Sequence, residues 1–141
     1  MLVDTEGNLL AVLVLGAERS DREGALLLLR LYRARYPELQ KIWGDGHYGG
    51  ELGQEVKAQY ALDLEAVKKP VGQAGFVPLP RRWVVERTFG WFMRSRRLVR
   101  DYERDPAYSE AWIHLASIHR LVKCLAPDSS VPRPYQRRQV A

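Results

Sequence analysis

Apolar and polar positions change period several times along the chain, and each change predicts an element. Leu2 and Val3, the polar stretch Asp4 to Asn8, and the apolar run from Leu9 to Leu15 predict two strands joined by a Gly-containing turn. The second strand is apolar on both faces, so both faces should be covered. Ser20 and Glu23 have the spacing of a capping box and open a leucine-rich helix that runs to about Tyr36, where Pro37 stops it. Leu39 to Gly44 predicts a short strand ending at Asp45, followed by the glycine-rich turn GDGHYGG. A helix over Glu51 to Tyr60 comes next, with Leu52, Val56 and Tyr60 at helical spacing, and then a strand over Leu62 to Val67.

Lys68 to Pro80 holds three prolines and two glycines and predicts a loop. A long helix begins near Arg81. Read as continuous, it turns Val85, Phe89, Phe92 and Val99 to the core and aligns Arg82, Glu86, Gly90, Met93 and Arg97 on another face. Asp105 and Pro106 supply an N-cap and an N1 proline for a last helix to about Leu125, stopped by Pro127. Residues 1–126 are expected to form one domain, and residues 127–141 a disordered, basic, proline-containing tail.

The order hairpin, helix, strand, helix, strand, loop, helix is α/β with an antiparallel start. A mixed sheet needs more strands than these, so an element upstream of Met1 is expected to be missing. Composition agrees with a globular domain: of 141 residues, 46% are apolar and 28% charged. The run Leu9 to Leu15 is far shorter than the ~20 residues of a membrane span, and the first residues lack a basic leader. Cys124 is the one cysteine, so an internal disulfide and a thiolate zinc cluster are both excluded. These features predict a cytoplasmic protein without a membrane segment.

Charge changes the picture more. The chain has 22 Lys+Arg against 17 Asp+Glu, a net charge of +5. Between Arg81 and Arg104 stand eight arginines and three acids, so this segment holds the whole excess. A polyanion would meet one concentrated basic site, although a solvated helix face gives the same pattern.

Two acids stand where chemistry could occur. Asp45 lies at the carboxyl end of a predicted strand, the place where α/β folds bind ligands, and an Asx-turn would also account for it. Glu86 lies among arginines, either as half of a surface pair with Arg82 or as a metal-ligating carboxylate. His47, His114 and His119 lack zinc spacing, and neither a phosphate loop nor a nucleophile triad is present.

WGDGHYGG around Asp45, PRRWVVERTFGWFMRSRRLVRDYE from Pro80 to Glu103, and the opening LVDTEGNLLAVLV resemble bacterial insertion-sequence transposases of the DDE type, in the insertion-sequence-five group. The resemblance covers roughly Leu2 to Ala126. It implies an RNase H-like mixed sheet with flanking helices and a metal-dependent enzyme that cleaves phosphodiesters and transfers strands. Two magnesium ions, with manganese as substitute, would be held by two aspartates and a glutamate. Asp45 matches the second aspartate and Glu86 the glutamate, which makes both catalytic and metal-ligating. Arg82 matches the arginine four residues before that glutamate. The signature's tyrosine position falls on Leu79 and its lysine position on Met93, and Arg94 or Arg97 can supply the missing cation. Arg82, Arg94 and Arg97 are thus the expected DNA-binding residues.

The family's first aspartate falls upstream of Met1, and Asp4, in a hairpin turn, is poorly placed to replace it. The resemblance therefore implies a truncated catalytic domain that lacks its first strand. Its partners would be DNA at element ends and target, a transposase product of an upstream frame, and further copies of itself in the intact enzyme. The alternative is a non-catalytic DNA-binding remnant or regulator of a full-length transposase. A third reading is an α/β protein whose arginines are merely solvated.

Overall fold

The computed structural model describes residues 1–67 and 80–126. Strand β1 (Leu2–Val3) pairs antiparallel with β2 (Leu9–Ala11), with an irregularity between Leu2 and Val3. Asp4 builds the turn: its Oδ1 accepts from the amides of Glu6 and Asn8, both at 2.8 Å, and its Oδ2 from Asn8 Nδ2 at 2.7 Å. With both oxygens engaged this way, Asp4 is a turn residue.

The strand predicted over Leu9 to Leu15 is shorter in the structure. The short β1 gives β2 little to pair with. Past Ala11 the chain leaves the ladder, and Val14 N–H donates instead to Glu110 Oε1 at 2.8 Å.

Helix α1 (Asp21–Tyr32) starts with the predicted capping box, in which Ser20 Oγ accepts from the Glu23 amide while the Glu23 carboxylate accepts from the Ser20 amide. It passes into a 3-10 turn at Arg33–Arg35 before Pro37. The Tyr36 hydroxyl donates to Leu10 O at 2.6 Å and so ties this corner to β2.

Strand β3 (Lys41–Gly44), helix α2 (Glu51–Tyr60) and strand β4 (Asp63–Ala66) form a βαβ unit. The two strands are parallel and in continuous register, from Lys41 opposite Asp63 to Gly44 opposite Ala66. Leu29 of α1, Leu52 and Val56 of α2, and Leu62 form the buried core, with Leu26, Ile42, Tyr48 and Leu64 packed around it. The core thus lies between α1, α2 and one face of the parallel pair.

Helix α3 (Pro80–Phe92) ends earlier than the sequence pattern predicts. The amides of Arg94 and Ser95 bond back to Trp91 O and Phe92 O, and a 3-10 turn follows at Arg96–Leu98. The expected apolar face does not hold together: Phe92 is buried, but Phe89 and Val99 are about half exposed. The inward position is taken by Thr88, fully buried, whose hydroxyl donates to Gly7 O at 3.1 Å. The change of direction after Phe92 also takes Arg97 off the helix that carries Glu86, so the predicted face from Arg82 to Arg97 is not continuous.

Helix α4 (Pro106–Leu125) begins as predicted, with Asp105 Oδ1 accepting from the Ala107 amide at 3.0 Å and Pro106 at N1. The predicted loop 68–79, the Pro127 stop and the tail 127–141 lie outside the described residues. An antiparallel hairpin and a parallel pair are present where one mixed sheet is expected. Among the described residues they are two separate two-stranded sheets, so the architecture is mixed α/β with four α-helices.

Candidate nucleic-acid interface and carboxylate site

Asp45 follows β3 directly and caps the 3-10 turn Gly46–Tyr48, its Oδ1 accepting from the His47 amide at 3.0 Å. This is an Asx-turn at a strand's carboxyl end. The ring of Tyr48 closes over Gly44, where any Cβ would lie 2.9 Å from it. Burial raises the Tyr48 phenol above its ordinary value, and the charges of Asp21 and Asp45 add to the effect.

The first turn of α3 is anchored to this strand. Arg81 stacks on the Trp43 ring at 4.5 Å and lies 3.9 Å from Glu65. Glu65 also bonds Lys41 at 2.6 Å and accepts from Trp43 Nε1 at 3.2 Å. The bond to Lys41 is the first cause that holds the Glu65 carboxyl below its ordinary value, against a smaller desolvation effect. Glu65 therefore joins β4, β3 and α3. Glu86 lies five residues beyond Arg81 on the same helix and is exposed.

A second cluster fixes the middle of α3, and sequence reasoning missed it. Arg87 and Arg120 lie over the Trp91 ring at 4.8 and 3.8 Å. Each donates to Glu6 O, at 3.0 and 3.3 Å, and Arg120 also donates to Asn8 Oδ1 at 2.6 Å. Gly7 completes the fit with φ of +81°, because a Cβ there would lie 2.6 Å from Thr88 Oγ1 and 2.9 Å from the Trp91 ring. The β1–β2 turn is thus clamped to α3 and α4. Gly7 in a polar turn was visible in the sequence, but its partners lie far along the chain.

The basic segment divides in two. Arg81 and Arg87 are built into the fold, and Arg97 sits 3.7 Å from Glu103 and 5.2 Å over the Trp112 ring. Arg94, Arg96, Arg100 and Arg104 are exposed. The Arg82 side chain lies outside the described residues.

A divalent metal would need oxygen ligands from several residues. Among the described residues no group of three His, Cys, Asp or Glu side chains could hold one. Asp45 and Glu86 do not by themselves fit a two-metal site. No helix of the described residues is long and apolar enough to cross a membrane.

Asp45 directly follows β3, and the arginine-rich segment begins on the helix anchored to that strand. The family model described as "Transposase DDE domain" matches residues 1–121, and the chain belongs to that family of DDE-type transposases. Such domains serve DNA transposition, bind DNA and are generally dependent on divalent metal. No curated protein and no solved structure matches the chain.

Proposed function

We propose that this chain is the carboxyl-terminal part of an RNase H-like transposase catalytic domain of the insertion-sequence-five group, and that on its own it binds DNA without cutting it. The observation that carries this reading is the anchoring of α3 on β3 through Arg81, Trp43 and Glu65. It fixes the helix that bears Glu86 to the strand that ends at Asp45. The antiparallel hairpin and the parallel pair, unjoined among the described residues, also suit a sheet completed by one further strand.

In the intact enzyme Asp45 and Glu86 would be two of three carboxylates holding magnesium, or manganese in its place, and the third would come from outside residues 1–141. Bound metal supplies Lewis-acid activation of the phosphodiester and of the attacking oxygen. Because two carboxylates do not make that site, no catalytic step is assigned to this chain alone, which favours the DNA-binding remnant or regulator as its role in isolation. Arg82, Arg94 and Arg97 serve as phosphate contacts. The Arg97–Glu103 contact is no obstacle: at 3.7 Å, with the Arg97 side chain 58% exposed, it contributes less than about 1 kcal/mol, and the guanidinium can turn to a phosphate while Glu103 keeps its bond from Trp112 Nε1.

The test is a cleavage assay on duplexes carrying the element ends, with magnesium or manganese. The purified chain should bind them and leave them intact. Specific cleavage that is abolished by Asp45→Ala would show a complete site in this chain and overturn the reading.

A further inference from the structure

Between the chain that follows α3 and the first half of α4 lies a cavity of about 170 Å³. Pockets for whole small molecules run from roughly 300 Å³ upward, so this one has room for a single planar ring system. Val14, Leu98 and Ile113 give it apolar walls, and Val14 is pinned there by its amide, which donates to Glu110 Oε1. Trp112 presents its ring, with the Arg97 guanidinium 5.2 Å from the ring centre. Two carboxylates complete the lining, and the fold holds each of them by one oxygen. Asp101 Oδ1 accepts from the Glu103 amide at 3.1 Å and from the buried Ser109 hydroxyl at 2.9 Å, and Glu103 Oε1 accepts from Trp112 Nε1 at 3.0 Å. Among the described residues, Asp101 Oδ2 and Glu103 Oε2 have no hydrogen-bond donor.

We propose that this cavity takes one unpaired guanine base of single-stranded DNA. The proposal rests on the DNA-binding reading and adds a base preference to it. An aromatic ring beside a basic segment is a platform on which an unpaired base stacks. The Arg97 guanidinium is held over that ring only by a long contact to Glu103 and by the ring itself, and turned to a phosphate it uncovers the indole. Glu103 is bonded to the edge of Trp112, so a base stacked on the indole has a carboxylate at its own edge. Carboxylates only accept, so they select the base edge richest in donors. Guanine alone among the four bases carries two adjacent donor nitrogens, N1–H and the 2-amino group, and cytosine occupies both in a duplex. Cytosine and adenine offer one amino group each, and the N3–H of thymine lies between two carbonyls that the carboxylates repel. Arg94, Arg96, Arg100 and Arg104, exposed on the same segment, supply positive charge for the flanking phosphates.

The experiment is a fluorescence-anisotropy titration of the full 141-residue chain with oligothymidine strands of about ten nucleotides, identical except for one central base. The guanine strand should bind at least about fivefold tighter than the all-thymine strand. The 7-deaza analogue of guanine should keep this advantage, and inosine, which lacks the 2-amino group, should lose most of it. Glu103→Gln and Asp101→Asn keep the oxygens that the fold bonds, and each should bring the guanine-to-thymine ratio close to one. That ratio is insensitive to the general gain in DNA affinity that follows the loss of an acid. If these variants fail to fold, the base series on the unaltered chain decides. A ratio near one in that chain, or an advantage lost with the 7-deaza analogue, as when Arg97 reads O6 and N7, overturns the proposal. So does guanosine monophosphate binding as tightly as the strand, since the exposed arginines would then add nothing. A flat base series beside salt-dependent duplex binding sinks the guanine pocket alone, whereas no binding to strand or duplex sinks the DNA-binding reading with it.

Discussion

Thr88 is a polar residue in the middle of an aromatic helix, and its burial is explained by two acceptors, Gly7 O at 3.1 Å and Val84 O at 3.0 Å. Thr88→Val keeps the volume and strands the Gly7 carbonyl, so it should destabilise the fold by about 1–2 kcal/mol. Gly7→Ala should cost more, about 2–3 kcal/mol, because it adds both a left-handed backbone conformation and a clash with Thr88 and Trp91. Urea unfolding midpoints measure both. Ala61 is the reverse case: it caps α2 at φ of +51°, a conformation that suits glycine. Ala61→Gly should stabilise the fold by about 0.5–1 kcal/mol in the same assay. At this scale the sequence was readable where partners are near neighbours, as in the Ser20–Glu23 box and the Asp45 turn. It was unreadable where partners lie 81 residues apart, as for Gly7 and Thr88.

Elements with local start and stop signals were predicted well. The caps at Ser20 and Asp105 and the periodicity of α2 all place helices where they occur. Two elements were overextended for the same reason, that apolar pattern alone does not say where a tertiary partner ends. Strand β2 stops when β1 runs out, and α3 stops at Phe92 although its apolar residues continue to Val99. The row of charges along β3 and β4 supplies a pH test. Lys41 holds the Glu65 carboxyl below its ordinary value. The bond therefore stabilises the fold fully above the usual carboxylate range, and that stabilisation is lost as pH falls through the lowered value. Glu65→Gln should flatten the acid side of a stability-against-pH curve from chemical unfolding. An unchanged acid side would show that the bond contributes nothing to holding β4, β3 and α3 together.

At the scale of the whole molecule, the basic segment was legible as a charge count but not as a surface. Two of its arginines are engaged with internal partners, Arg81 on Trp43 and Arg87 on Trp91, while Arg97 lies over Trp112 with its side chain 58% exposed. Only contacts in three dimensions distinguish these from Arg94, Arg96, Arg100 and Arg104. A neutral control must lie outside the basic segment and hold no part of the fold, which Arg120, bonded to the β1–β2 turn, does not satisfy. Arg30, exposed in the last turn of α1, is a better one. The central claim, a DNA-binding transposase chain, is tested most directly by titrating duplex DNA at several salt concentrations. Affinity should fall steeply with salt, by a log–log slope of about 0.9 per phosphate neutralised. Replacing Arg94 and Arg97 together with alanine should reduce that slope by about two, while Arg30→Ala leaves it unchanged. Binding no tighter than that of a neutral control protein, or equal losses in both variants, would contradict the account.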